Sequence, residues 1–193
     1  MSLMLRRLRR RLANRGKTMA TPSSFDDDLF PKGVPVEEAE RQRLFELYKI
    51  MVASSEALVG RRQGVNTFFL TINGALLTAI GLLLSNGKDP RLQAAGIVVL
   101  AITGCILSLA WTSLILSFGQ LNKGKFAVIN RIEEDLPAAI FLAEWKALGE
   151  GRKPSIYRTF TSREVWVPKV FLFVYALTAL LAVLIAVGLW KPK

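Results

Sequence analysis

The chain has 193 residues, 51% of them apolar and 21% charged, and its 26 Lys and Arg outweigh 15 Asp and Glu to give a formal net charge of +11. Such a composition excludes general disorder, and the lack of histidine together with a single cysteine excludes histidine-based triads, most zinc centres and any intrachain disulfide. Neither a Walker-type glycine loop nor a dinucleotide fingerprint occurs, so the chain is expected to be no enzyme and to hold no cofactor or metal.

The first 20 residues, MSLMLRRLRRRLANRGKTMA, contain six arginines and one lysine but no apolar run long enough for a secretory signal. Leu5, Leu8 and Leu12 recur at helical spacing among the arginines, which suits an anionic membrane surface or an organelle transit segment. Met19 is an alternative start to Met1, because MATPSSFDDDLF reads as an ordinary polar N-terminus. Residues 1–35 are expected to be a basic, disordered tail, ending in a flexible linker over 21–35 that carries Asp26, Asp27 and Asp28.

Residues 36–64 read as an amphipathic cytoplasmic helix. Leu44, Leu47, Tyr48, Met51, Val52, Ser55, Leu58 and Val59 share one face. Glu37, Glu38 and Glu40 near its start, and Arg61 and Arg62 near its end, have the signs that suit a helix dipole. Gly60 and Gly64 mark an expected bend where the helix meets the membrane.

Three runs without a charged residue follow, over 65–85, 93–120 and 170–190. At about 1.5 Å per residue each reaches roughly 30 Å or more as a helix, enough for the hydrocarbon thickness of a bilayer. Core helices of a soluble bundle would carry a charged stripe, and none appears. The expected class is therefore an all-α integral membrane protein: three transmembrane helices with a cytoplasmic layer of amphipathic helices. The first two spans occupy 65–118 with a short external turn, and the third occupies 168–190.

On a helical wheel the first span places Asn66, Thr67, Thr71, Asn73, Gly74, Thr78 and Gly81 on one half, with Phe68, Phe69, Ile72, Leu76, Ala79 and Leu83 opposite. The second gathers Ala94, Ala101, Gly104, Cys105, Ser108 and Thr112, and the third Tyr175, Thr178, Ala179, Ala182 and Ala186. Two readings stand for the polar set Asn66, Thr67, Thr71, Asn73, Thr78, Ser108 and Thr112: intramembrane packing, or the lining of a pore. The lack of intramembrane charge favours packing over conduction.

The segment 119–167 reads as two cytoplasmic helices. The first, with Leu121, Val128, Ile129, Ile132 and Leu136 on one side, is expected to stop near Leu136, and Pro137 to open the first turn of the second, which reaches about Gly149. Glu144 falls on an apolar face between Ile140 and Leu148, and Glu133 borders its own. Each carboxylate needs a partner, and Arg61, Arg62 and Lys125 are the expected ones, as ion pairs at the membrane boundary or between subunits. An acid–base couple of the two lacks an accompanying nucleophile or phosphate cradle. Thr161 to Glu164 has capping-box spacing, and Pro168 marks a kink or fresh start. Trp190 and Lys191 close the last span as an interfacial anchor, leaving 191–193 outside.

Loop charges set the orientation. Thirteen Lys and Arg precede the first span and nine lie from Lys123 to Lys169, against two in the 86–92 turn and two at the C-terminus. The positive-inside rule places the N-terminus and the 119–169 segment in the cytoplasm and the C-terminus outside, and it accounts for the basic charge without nucleic acid.

Taken in order, Arg61-Arg62, Asn66-Thr-Phe-Phe-Leu-Thr-Ile-Asn73, Leu121-Asn122, Lys125-Phe126, Ile129, Glu133, Leu136-Pro137, Phe141, Glu144-Trp145, Glu164 and Pro168 resemble the RipA family of octameric bacterial membrane proteins, over roughly 45–175. The resemblance implies a bacterial inner-membrane protein that partners with itself as a homo-octamer among membrane lipids, and it brings no catalytic residues. The expected role is a structural or regulatory scaffold or stress-adaptation factor, with any protein partner unknown. The alternative is an oligomeric channel or small-solute transporter lined by the polar residues of the first span. An enzyme would require a concave cytoplasmic pocket containing Glu133 or Glu144.

Overall fold

A computed structural model describes residues 25–86, 89–153, 155–157 and 159–189. The expected surface segment with Leu5, Leu8, Leu12 and Met19, the turn residues Gly87 and Lys88, the linker residue Pro154, and the anchor Trp190 and Lys191 lie outside the described residues. The described residues contain helices and no strand: α1 (Phe25–Leu29), α2 (Glu38–Asn86), α3 (Pro90–Glu133), α4 (Ile140–Ala147), a 3-10 turn (Gly149–Gly151), α5 (Phe160–Glu164) and α6 (Trp166–Ala186). The chain divides into two compact units, Met1–Leu44 and Phe45–Lys193.

In the first unit, α1 lies where flexible linker was expected. Its Asp26, Asp27 and Asp28 occupy the first turn, where carboxylates offset the positive end of the helix dipole, so the acidic run supports a short helix.

The second unit carries three helices long and apolar enough to cross a membrane, α2, α3 and the run Phe160–Ala186. No break divides α2 at Gly60 or Gly64, where a bend was expected. About 20 residues of helix span the hydrocarbon, so at 49 residues α2 is long enough to continue beyond it as the same helix. Asp89 starts α3: its carboxylate accepts from the N–H groups of Arg91 at 2.9 Å and Leu92 at 3.4 Å, with Pro90 at the first position, where a missing donor is harmless.

Contacts spaced along the helices define the topology. Gln93 donates to the Leu83 carbonyl, Trp111 meets Asn66 and Glu133 meets Tyr48, so α2 and α3 run antiparallel over their shared length. Glu164 lies against Arg62 and Tyr175 against Asn73, which makes α6 parallel to α2. Three spans with this connectivity require that arrangement. The middle helix is the most enclosed, with 33% of its apolar window buried against 17% and 11% for the other two.

Small residues let α6 approach α3. A Cβ on Gly104 would fall 2.5 Å from three carbons of the Tyr175 ring, well inside van der Waals contact, so only glycine admits the ring there. Ile80, Ile97, Ala101, Tyr175 and Ala182 form one core cluster, and Phe69, Trp111 and Ile115 another. The expected faces of the second and third spans hold at Ala94, Ala101, Gly104, Ser108, Tyr175 and Ala182, all buried. In the first span Phe69, placed on the half opposite the polar residues, is buried, its ring stacked at 5.6 Å on Trp111.

Beyond the spans, α3 ends at Glu133, earlier than expected, and α4 begins at Ile140, so Pro137 stands in the connecting turn rather than the first turn of α4. Thr159, not Thr161, precedes α5, and Glu164 forms an ion pair instead of closing a capping box. Pro168 is buried in the first turn of α6, where its missing N–H leaves no gap and no break is needed.

Candidate functional site

The residues that the sequence singled out fall into separate clusters. The first surrounds Glu133, whose carboxylate is 1% exposed. Ala139 precedes α4 and offers no side-chain cap, which leaves the first N–H groups of that helix without a local acceptor. Glu133 supplies it across the turn: Oε1 accepts from the Phe141 N–H and Oε2 from the Leu142 N–H, both at 3.1 Å. The Tyr48 hydroxyl on α2 donates to Oε1 at 2.9 Å. Burial first, and then the hydrogen bond to Glu133 and its negative charge, push the Tyr48 hydroxyl from its ordinary 10.0 up to about 12.

The expected ion pairs take different partners within the chain. Arg62 meets Glu164, Nε to Oε2 at 2.5 Å, with the two side chains 13% and 29% exposed. Lys125 donates to the Ser54 hydroxyl at 2.5 Å. Arg61 and Glu144 have no polar partner among the described residues, and both are exposed. Glu133 is therefore neutralised by a helix N-terminus and a phenol rather than by a cation, because its backbone at the end of α3 faces the start of α4. Tyr48, Ser54 and Glu164 are the partners that sequence reasoning missed. Tyr48 shares the apolar face of α2, and that placement was the available clue.

The polar residues of the first span separate into two sets. Asn66 and Asn73 face the other helices: Asn66 Oδ1 accepts from the Trp111 indole N–H at 2.9 Å, and Asn73, fully buried, donates to the Phe69 carbonyl at 2.8 Å. The Asn73 backbone carbonyl accepts from the Tyr175 hydroxyl at 3.0 Å, so Gly104, Tyr175 and Asn73 join α3, α6 and α2 at one point. Ser108 and Thr112 return their hydroxyls to the carbonyls four residues back, as do Thr71 and Thr78.

Thr67, Thr71 and Thr78 point elsewhere. Gly60, Gly64, Thr67, Thr71, Gly74, Thr78 and Gly81 are all exposed and follow one another at alternating intervals of four and three, a heptad stripe on one side of α2. A Cβ on any of the four glycines would meet nothing within 4 Å. This side of α2 is thus bare backbone and short side chains, uncovered by α3 or α6.

Outside the spans a cavity of about 620 Å³ lies among α2, α3, α4 and the segment ahead of α6. Glu144 lines it, and Glu133 does not.

Residues 45–185 match the model of the octameric membrane protein family (8xMP). No curated protein and no solved structure matches the chain.

Proposed function

Because the chain belongs to the octameric membrane protein family, we propose that it acts without enzymatic chemistry as a homo-octameric scaffold or stress-adaptation factor of the bacterial inner membrane. The observation that carries this reading is the bare heptad stripe on α2. In lipid, helices associate through close backbone packing, and small residues at such spacing admit a neighbouring helix. Asn66 and Asn73, the polar residues of the first span that the subunit uses to join α3 and α6, lie off that stripe. The stripe is left for another subunit. The narrower RipA identity rests on the order and spacing of the segments from Arg61 to Pro168, and the orientation, with the N-terminus and 119–169 inside, rests on the basic loops.

The test is subunit number in detergent by light scattering. Gly74→Leu and Gly81→Leu, at positions where an added Cβ meets nothing within 4 Å, are expected to shrink the octamer while leaving the helical content intact. An unchanged octamer would remove the stripe from the interface. The channel reading uses the same stripe as a lining, with Thr67, Thr71 and Thr78 toward the axis. Ion flux in liposomes that falls with Thr71→Leu would favour it over the scaffold.

A further inference from the structure

The cavity outside the spans has the size of small-molecule sites, which run from about 300 to 1,000 Å³. Phe126, Phe141, Trp145, Tyr157 and Phe160 line it, and three edge-to-face contacts link these rings in pairs: Phe126 with Phe141 at 5.7 Å, and Trp145 with Tyr157 and Tyr157 with Phe160 at 6.5 Å. Such rings present apolar surface and negative faces that attract organic ammonium groups.

Three charged side chains line the same space, Glu56, Glu144 and Lys123, none paired with another described residue. Asn130, also in the wall, keeps a buried Oδ1 without a hydrogen-bond donor among the described residues. The cavity therefore offers two carboxylates and one ammonium. Its own charge disfavours an anion, while Lys123 disfavours a simple cation; a zwitterion meets both.

Its level in the fold selects the source of that zwitterion. Along α2 the lining residues Ser55 to Val59 lie just before Arg62, and along α3 they begin at Asn122, directly after the uncharged run ends at Gln120. At about 1.5 Å per residue the cavity starts roughly 3 Å beyond the uncharged run of α3 and roughly 9 Å before that of α2, bordering the layer of lipid headgroups. Phe160, in the wall, and Trp166 at the start of α6 are each 69% exposed, as suits aromatic rings at a membrane interface.

We propose that this cavity binds an ethanolamine phospholipid, with the ammonium at Glu56, Glu144 and the ring faces, the phosphate at Lys123, and the acyl chains passing along the apolar surface toward the spans. The site is distinct from the stripe on α2 and does not depend on the assembly proposed above.

Delipidated protein in mild detergent would be titrated with dihexanoyl phosphatidylethanolamine, dihexanoyl phosphatidylglycerol and glycerophosphoethanolamine, following tryptophan fluorescence with Trp145→Phe to identify the reporter. The expected result is saturable binding of the ethanolamine lipid, at least tenfold tighter than the glycerol lipid and than the chain-free headgroup. The paired substitutions Glu56→Gln and Glu144→Gln, at exposed positions, are expected to weaken it at least tenfold. Equal binding of the two lipids, equal binding of the headgroup alone, or no effect of the paired substitutions would overturn the proposal. Light scattering on the same samples reports the assembly separately.

Discussion

Glu133 and Phe141 meet across a turn of seven intervening residues, and the carboxylate of the first caps the backbone N–H of the second at 3.1 Å. The cap comes from outside α4, because Pro137, Ala138 and Ala139 contain no side chain able to supply it. The same carboxylate holds Tyr48, so a single buried group joins α2, α3 and α4.

Replacing Glu133 by Gln keeps the shape and removes one of the two carboxylate acceptors. A loss of about 1–2 kcal/mol in stability is expected, the usual size of a lost helix cap, measured by denaturant unfolding in detergent. Ultraviolet titration of the phenol groups should show Tyr48 moving down from about 12 in this variant. It should remain above 10.0, since burial is the leading cause of its position and persists.

Stability should also depend on alkaline pH through Tyr48. Its folded-state value lies above its unfolded one, so between pH 10 and pH 12 the folded chain retains a proton that the unfolded chain has released. The contribution is complete below 10 and is lost as pH rises toward 12. Comparing unfolding midpoints of the native chain and Tyr48→Phe across that window checks the sign: the native chain should lose stability faster.

Gly104→Ala and Gly74→Ala separate the inside of the subunit from its outside. At Gly104 the new methyl meets the Tyr175 ring at 2.5 Å, and overpacking of this kind costs about 1–3 kcal/mol. At Gly74 it meets nothing, and subunit stability should be unchanged or slightly raised by better helix propensity. Thermal unfolding of each variant, read by circular dichroism, decides.

Arg62 and Glu164 are mostly shielded from water, so their coupling should exceed that of a surface pair. A double-mutant cycle with Arg62→Gln and Glu164→Gln is expected to give about 1–3 kcal/mol. A value near zero would mark the contact as incidental.

Within the membrane, Trp111→Phe and Asn66→Leu should couple by about 0.6–2 kcal/mol, the range for interhelical hydrogen bonds in lipid. Unfolding of the single and double variants measures it.

The three spans and the buried small faces of α3 and α6 were legible from sequence, because missing charges and recurrent small residues report directly on lipid and on helix approach. The partners of the charged residues were not. Periodicity places Glu133 and Arg62 on a face of their own helices but says nothing of which atoms arrive opposite. The arrival of Tyr48 depends on the α2–α3 register, and that of Glu164 on where α5 begins. The polar half of the first span was visible as one group, yet its division between Asn66 and Asn73 inside and Thr67, Thr71 and Thr78 outside depends on how α2 is rotated against α3, which no single helix encodes. The cavity was foreseen only as a requirement for an enzyme, and its rings come from segments far apart in the chain.

The meeting of Gly104, Tyr175 and Asn73 has a consequence for biosynthesis. During synthesis α2 and α3 emerge as a finished pair of helices, but the notch at Gly104 and the carbonyl of Asn73 stay uncovered until the ribosome has delivered Tyr175. Without α6 the notch at Gly104 and the carbonyl of Asn73 lose the side chain that covers both. The helix that carries Tyr175 is the one that closes the notch.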